Sequence, residues 1–219
     1  MEWVEFMLIR WRSIVGILLG LFAFHVLAQD DASHIDARSI LVVGDSLSAE
    51  YGLERDTGWV EIIAQRLREE NTGYVLHNRS ISGDTSSGGL ARLPEALERF
   101  KPSIVIIELG SNDALRGLPL DMTQQNLSRM VIMSKKAGAR VLLVGMQVPP
   151  NYGRAYTDRF RDIYTHIAKD QDVERVPFLL EGIALDRGLF QQDGLHPNEA
   201  AQPIMADTVW RHLAPMLTP

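Results

Sequence analysis

Two short segments far apart in the chain carry side chains suited to nucleophilic catalysis. The first reads Gly44-Asp45-Ser46-Leu47-Ser48 and sets a serine shortly after a glycine that can take an otherwise strained backbone turn. The second reads Asp193-Gly194-Leu195-His196-Pro197. Pro197 biases His196 toward extended backbone and suits the first turn of a following helix, so His196 stands outside that helix. Asp193, on the far side of a turn-forming glycine, can accept the Nδ1 proton of His196 and leave Nε2 facing a nucleophile. A serine hydroxyl needs such a base because it is a weak nucleophile in its protonated form.

Acyl transfer through a serine also needs donors for the negative oxygen of the tetrahedral intermediate, and that stabilisation is often the largest catalytic contribution. Gly83, in Ser80-Ile81-Ser82-Gly83-Asp84-Thr85, can turn its N–H into a crevice with no side chain in the way. Asn112, in Gly110-Ser111-Asn112-Asp113, supplies a neutral amide donor at any working pH. Each segment also has a plainer reading. Ser46 or Asn112-Asp113 can cap a helix, Gly83 can serve a turn, and Asp193 with His196 can be a surface pair at a helix N-terminus. The other histidines, at 25, 34, 77, 166 and 212, lack the acid-glycine spacing and are read as structural, solvated or part of the leader. There is no Gly-x-Ser-x-Gly, which argues against the nucleophile elbow of the α/β-hydrolases.

These segments must be positioned by the elements around them. Ser39 to Val43 reads as a buried strand, and Trp59, Ile62, Ile63 and Leu67 give helical spacing over Gly58 to Glu70. Tyr74 to His77 is a short strand, Ser87 to Phe100 a helix interrupted by Pro94, and Ser103 to Leu109 the clearest buried strand. Thr123 to Ala137 is a helix closed by Gly138, Arg140 to Gly145 a strand, and Tyr156 to Lys169 a helix. Arg175 to Phe178 is a weak fifth strand, and Asn198 to Leu217 a terminal helix broken near Pro203. Strands alternating with helices predict an α/β fold: a doubly wound, mostly parallel five-stranded sheet with helices on both faces, a flavodoxin-like three-layer sandwich. Ligands of such folds sit beyond the carboxyl ends of the strands, which selects the loops beginning at Gly44, His77, Gly110 and Gly145, with the Asp193 loop as a fifth.

Composition removes whole classes of function. Lys+Arg 22 against Asp+Glu 28 gives a net charge of -6, with no basic surplus for a phosphate backbone, so no nucleic acid is expected as partner. With no cysteine there is no disulfide framework, zinc-thiolate site or cysteine nucleophile. No His/carboxylate cluster has ligand spacing, so neither metal nor other cofactor is expected. Arg10 and Arg12 precede an apolar run of eleven residues, Ile14 to Phe24, followed by Val26-Leu27-Ala28. This predicts a secretory signal over residues 1–28, cut after Ala28, and one domain over 29–219. The run is shorter than the roughly 20 residues that span a bilayer, so no transmembrane anchor is expected after cleavage.

The four segments, in the order nucleophile, donor, donor, acid-base, resemble the blocks of the SGNH (GDSL-type) hydrolase superfamily. The resemblance covers nearly all of Ile40 to Leu217 and matches Ser46, Gly83, Asn112 and His196, with Asp193 completing the last block. The runs Gly44 to Ala49, Ile81 to Ser86, Leu90 to Pro94, Glu108 to Asp113 and Ala200 to Pro203 are similar to a periplasmic branch of that superfamily. The resemblance implies catalysis by Ser46, Asp193 and His196, an oxyanion hole of Ser46, Gly83 and Asn112, and hydrolysis of small-molecule acyl esters and thioesters, lysophospholipids among them. It also implies secretion to a bacterial periplasm. Glu50 stands where a small residue is usual, and Ser111 and Ala114 where glycines are, which bears on polarity near Ser46 and on the stiffness of the loop after Asp113.

Substrate class is open between an acyl chain and an acetylated sugar. The apolar residues Leu115, Leu118, Pro119, Met146, Val148, Pro149 and Pro150 all fall in loops at the active end and favour the chain. Leu115, Leu118, Pro119 and Met146 are the expected substrate contacts, with Gly117 as a hinge in their loop. A flavodoxin-like binding module, with residues 83–89 as a phosphate cradle, is the alternative from a different class. Asp84 in that cradle would repel phosphate.

Overall fold

A computed structural model describes residues 38–217 of the chain. The expected leader over residues 1–28 lies outside the described residues. The first strand, β1 (Arg38–Gly44), is followed by α1 (Trp59–Glu69), β2 (Tyr74–Asn78), α2 (Ser86–Phe100) and β3 (Ile104–Glu108). A five-residue helix α3 (Ser111–Leu115) and the longer α4 (Leu120–Lys136) precede β4 (Arg140–Val144). The remainder is α5 (Arg154–Gln171), β5 (Glu174–Val176) and α6 (Gln202–Leu213), with short 3-10 turns between and after them.

All four strand pairings are parallel, in the order β2-β1-β3-β4-β5. The doubly wound sandwich expected from the alternation is the fold observed. Helices α1 and α6 pack together in one layer, while α4 packs against both α2 and α5 in the other. With helices over both faces, the central strands have no wet side. This is why Ile40 to Val43 and Ile104 to Ile107 are continuous apolar runs rather than alternating ones, all fully buried. The chain leaves β1 toward β2 on one side and returns past it to β3 on the other. The switch in strand order therefore lies between β1 and β3, above whose ends a crevice must open.

Several boundaries differ from the sequence expectation, each for a local reason. Pro94 does not interrupt α2, which runs through it with the proline on the exposed side. Pro203 does not break the terminal helix but sits in the first turn of α6, where its missing N–H has no intrahelical partner to lose. The fifth strand is Glu174–Val176, one residue earlier than expected and ending sooner. Helix α4 starts three residues before the expected Thr123, directly after Pro119.

Candidate active site

The loop after β1 holds Ser46 by contacts on every side. The indole Nε1–H of Trp59 donates to the Leu47 carbonyl at 3.0 Å, and Asn78 Nδ2 donates to the Ser48 carbonyl at 2.7 Å. Ser48 Oγ–H donates to Glu108 Oε2 at 2.7 Å, and the Asp45 N–H donates to the same oxygen at 3.2 Å. Gly44 and Glu108 are register partners on β1 and β3. A Cβ on Gly44 would meet Glu108 Oε2 at 2.8 Å and Ser48 Oγ at 2.7 Å. The glycine is needed for this close approach and not for an unusual backbone angle, because Gly44 lies outside the left-handed region. Ser46 does not cap α1, which begins only at Trp59.

The last loop brings a base to that serine. His196 Nε2 lies 2.9 Å from Ser46 Oγ, and His196 Nδ1 lies 2.7 Å from Asp193 Oδ2. The other oxygen of Asp193 accepts the N–H groups of Leu195 and His196, at 2.8 and 3.0 Å. The His196 N–H leads the causes that pull the Asp193 carboxyl down to about 2, with desolvation opposing and the imidazole adding to the pull. A carboxylate fixed by two backbone donors cannot swing away, so it aims the imidazole as well as holding its Nδ1 proton. Ser46, His196 and Asp193 thus form a hydrogen-bonded Ser-His-Asp triad, with elements more than a hundred residues apart meeting at the switch point.

Of the expected donors, Ser46 and Asn112 line the cavity that holds His196, and Gly83 is not in that lining. The N–H groups of Ser46 and Gly83 find no acceptor among the described residues. Gly83 has φ +77°, a conformation that L side chains rarely adopt, and its carbonyl accepts from Arg116 Nη2 at 2.8 Å. Asn112 Nδ2 donates to Asp45 Oδ2 at 3.0 Å and to the Asp84 carbonyl at 2.9 Å. Asp113 does not join the crevice. It is buried behind it, accepting the N–H and Oγ–H of Ser86 at the start of α2 and the hydroxyl of Thr123.

Beneath Ser46 lie two carboxyl groups shut off from water, Asp45 at 1% exposure and Glu108 at 0%. Burial raises both. The Asp45 carboxyl rises to about 6, against the pull of the Leu47 N–H, the Glu108 carboxyl and the Asn112 amide. Glu108 goes well above the carboxylate range, because burial is reinforced by the charge of Asp45. Both carboxyls are thus held above their ordinary range, and the stronger upward push falls on Glu108.

A cavity of about 500 Å³ opens beside Ser46 and His196. Leu115, Met146, Val148, Pro149 and Pro150 line it as the loop pattern suggests, joined by Leu47, Phe178, Leu180, Leu185, Phe190 and Leu195. Leu118 and Pro119 are not in the lining. After α3 the chain reverses at Gly117, and the Leu118 N–H donates back to the Asp113 carbonyl at 2.9 Å, which takes both residues away from the opening. Glu50, the unusual neighbour of the serine loop, is also turned aside. Its carboxylate accepts the N–H of Gly58 at 2.8 Å and of Asp56 at 3.1 Å, capping the entry to α1 instead of adding charge near Ser46.

The segment 83–89 is no phosphate cradle. The Thr85, Ser86, Gly88 and Gly89 N–H groups are already bonded to Asp84, Asp113 and Thr85. Among the described residues no group of three or more His, Asp or Glu could hold a metal ion. Three residues that the sequence does not single out brace the site. Arg92 donates to Asp84, to the Gly44 carbonyl and to the Arg79 carbonyl. Gln191 Nε2 ties the Tyr51 carbonyl at 2.8 Å to that of Pro197 at 3.1 Å, clamping the serine loop to the histidine loop. The Tyr51 ring rests 4.5 Å from that of His196. Nothing local in their sequence marks these roles, since each depends on a partner distant in the chain.

Residues 42–203 match the GDSL-like Lipase/Acylhydrolase family. The chain is 47% identical over 201 residues to Esterase TesA of Pseudomonas aeruginosa, covering 92% of this chain and 98% of that protein. It is 40% identical over 208 residues to Thioesterase 1/protease 1/lysophospholipase L1 of Escherichia coli, covering 95% and 94%. The solved structure of psychrotrophic esterase EstA from Pseudoalteromonas sp. aligns with a TM-score of 0.79 at 41% identity, over 82% of this chain and 98% of that one. A parallel sheet whose loop ends carry a Ser-His-Asp triad, with likeness to these enzymes along most of its length, makes this chain a member of the GDSL-like lipase/acylhydrolase family.

Proposed function

We propose that the protein hydrolyses carboxylic esters and thioesters of acyl chains through an acyl-enzyme on Ser46. Ser46 Oγ attacks the acyl carbonyl while His196 Nε2 takes its proton, and the carbonyl oxygen becomes an oxyanion facing the Ser46 and Gly83 N–H groups and the Asn112 amide. The tetrahedral intermediate collapses, the bond to the leaving oxygen or sulfur breaks, and the imidazolium returns the proton to that atom. Water then repeats the sequence and frees the acid. Asp193 keeps the proton of His196 on Nδ1, so that Nε2 is the basic nitrogen, and stabilises the imidazolium that forms.

The observation that carries the reading is the 2.9 Å approach of His196 Nε2 to Ser46 Oγ at the end of an apolar cavity of about 500 Å³. An acetyl group would leave most of such a cavity empty, whereas an acyl chain can fill it, which favours acyl chains over acetylated sugars. Relatives named esterase, thioesterase and lysophospholipase are consistent with a tolerant leaving-group side, and lysophospholipids fall within the proposed substrates. No helix among the described residues is long and apolar enough to cross a membrane. The leader read from the sequence supports export, cleavage after Ala28 and a periplasmic location.

The test is a panel of p-nitrophenyl esters from acetate to palmitate, run beside acyl-CoA and lysophosphatidylcholine, with Ser46→Ala as control. Rates per unit KM should climb with chain length and vanish in the control. Activity confined to acetate would support the sugar-deacetylase alternative instead.

A further inference from the structure

The mouth of the cavity is apolar on its solvent side as well as inside. Leu185 is fully exposed, at 102% of its reference surface, yet it lines the cavity that contains Ser46. Leu195, directly before His196, is half-exposed and lines the same cavity. Tyr51, also half-exposed, lies against the His196 ring from the serine loop. Scattered exposed apolar residues need no explanation, but two that line one opening, with a third against the histidine of that opening, do.

We propose that Leu185, Leu195 and Tyr51 form a docking surface for a zwitterionic lysophospholipid micelle, from which the acyl chain passes into the cavity beside Ser46. The inference rests on the acyl-hydrolase reading above and names how its substrate arrives. Two observations fix the occupant. The exposed leucines are continuous with the cavity lining, so whatever covers them also feeds the cavity, and an acyl chain entering there need not cross water. The chain carries a net charge of -6, and the charges next to the leucines are mixed, Asp186 and Arg187 beside Leu185 and Asp193 near Leu195, so an anionic surface is disfavoured and a zwitterionic one is not.

The experiment measures hydrolysis of myristoyl lysophosphatidylcholine across its critical micelle concentration by the wild type and by Leu185→Ser/Leu195→Ser. The wild-type rate should break upward severalfold at that concentration, beyond its own monomer saturation curve, and the double variant should show no break. Each protein is compared with itself, so weaker packing of the acyl chain inside the cavity, which slows hydrolysis below and above that concentration alike, does not imitate the result. In parallel, Ser46→Ala with intact leucines should sediment with phosphatidylcholine vesicles more than with phosphatidylglycerol vesicles, and should cease to do so when the two leucines are serine. A smooth wild-type curve, equal breaks in both proteins, a preference for phosphatidylglycerol, or a dimer in solution that buries the leucines would each overturn the proposal. No hydrolysis below or above the micelle concentration, with p-nitrophenyl esters still turned over, would overturn this proposal and leave the acyl-hydrolase reading standing.

Discussion

The side-chain amide of Asn112 donates to the buried carboxylate of Asp45, Nδ2 to Oδ2, at 3.0 Å. With its second hydrogen on the Asp84 carbonyl, both amide hydrogens are engaged in the free protein, so the oxyanion takes or shares one of them only as its charge develops. Asn112→Ala should lower kcat by about 10² to 10³ with little change in KM, because the lost donor acts mainly on charge that exists in the transition state. Steady-state kinetics on a p-nitrophenyl ester measure both constants, and a change confined to KM would contradict the role.

Asp193 is the exposed member of the triad, yet its carboxyl is pulled from 3.8 to about 2 by the His196 N–H first, then by the imidazole and the Leu195 N–H. A depressed carboxyl contributes stability that is present above the unfolded value and lost as pH falls through the folded one. Asp193→Ala should therefore flatten the fall in Tm between pH 4 and pH 2. Activity in milder acid should not follow the Asp193 carboxyl, since Asp193 remains ionised there. Asp193→Asn should cost roughly 10³ to 10⁴ in kcat by releasing the tautomer.

Glu108 gives the opposite slope. A raised carboxyl contributes most to stability in acid, and its contribution falls as pH rises above the ordinary carboxylate range; Asp45, pushed up to about 6, adds to that fall. Glu108→Gln keeps an acceptor for Ser48 and for the Asp45 N–H, so it should fold, retain activity and reduce the decline in Tm above pH 4. Glu108→Ala leaves both donors buried without an acceptor, at about 1–3 kcal/mol each. Thermal unfolding of the two variants against pH checks the prediction. A glutamine variant as unstable as the alanine would mean that the carboxyl, not its hydrogen bonding, is required.

Leu115 and Met146 line the cavity, whereas Leu118 is turned away from it. Each buried methylene contributes about 0.8 kcal/mol, so Leu115→Ser should depress kcat/KM for octanoyl or longer esters far more than for acetate. Leu118→Ser should lower all chain lengths alike. The ratio of octanoate to acetate rates in the two variants separates the positions.

Most of the fold and the triad are legible in the sequence because they rest on local signals. A fully apolar run such as Ile104 to Ile107 announces a buried strand, and Asp193-Gly194-Leu195-His196 contains the acid, the turn and the base, although the helix expected directly after Pro197 starts only at Gln202. What stays hidden depends on partners brought together only by folding. Gly44 reads as the glycine of a strained turn, but the reason for it is Glu108, its register partner on β3. Leu118 looks like a wall residue because it follows Leu115 closely, and only the reversal at Gly117 sends the two to different places. Gln191, which clamps the two catalytic loops, reads as an ordinary polar residue until the Tyr51 carbonyl is seen beside it.

Hydrolysis by this route requires that Ser46 Oγ form the acyl bond. A p-nitrophenyl phosphonate labels such a serine, because the attacking oxygen bonds to phosphorus as p-nitrophenolate leaves. Intact and peptide mass spectrometry of the treated protein should find one phosphonyl group per chain, on Ser46, with activity lost in proportion and no label in Ser46→Ala. A label on another residue that tracks the loss of activity, or full labelling of Ser46→Ala, would contradict it.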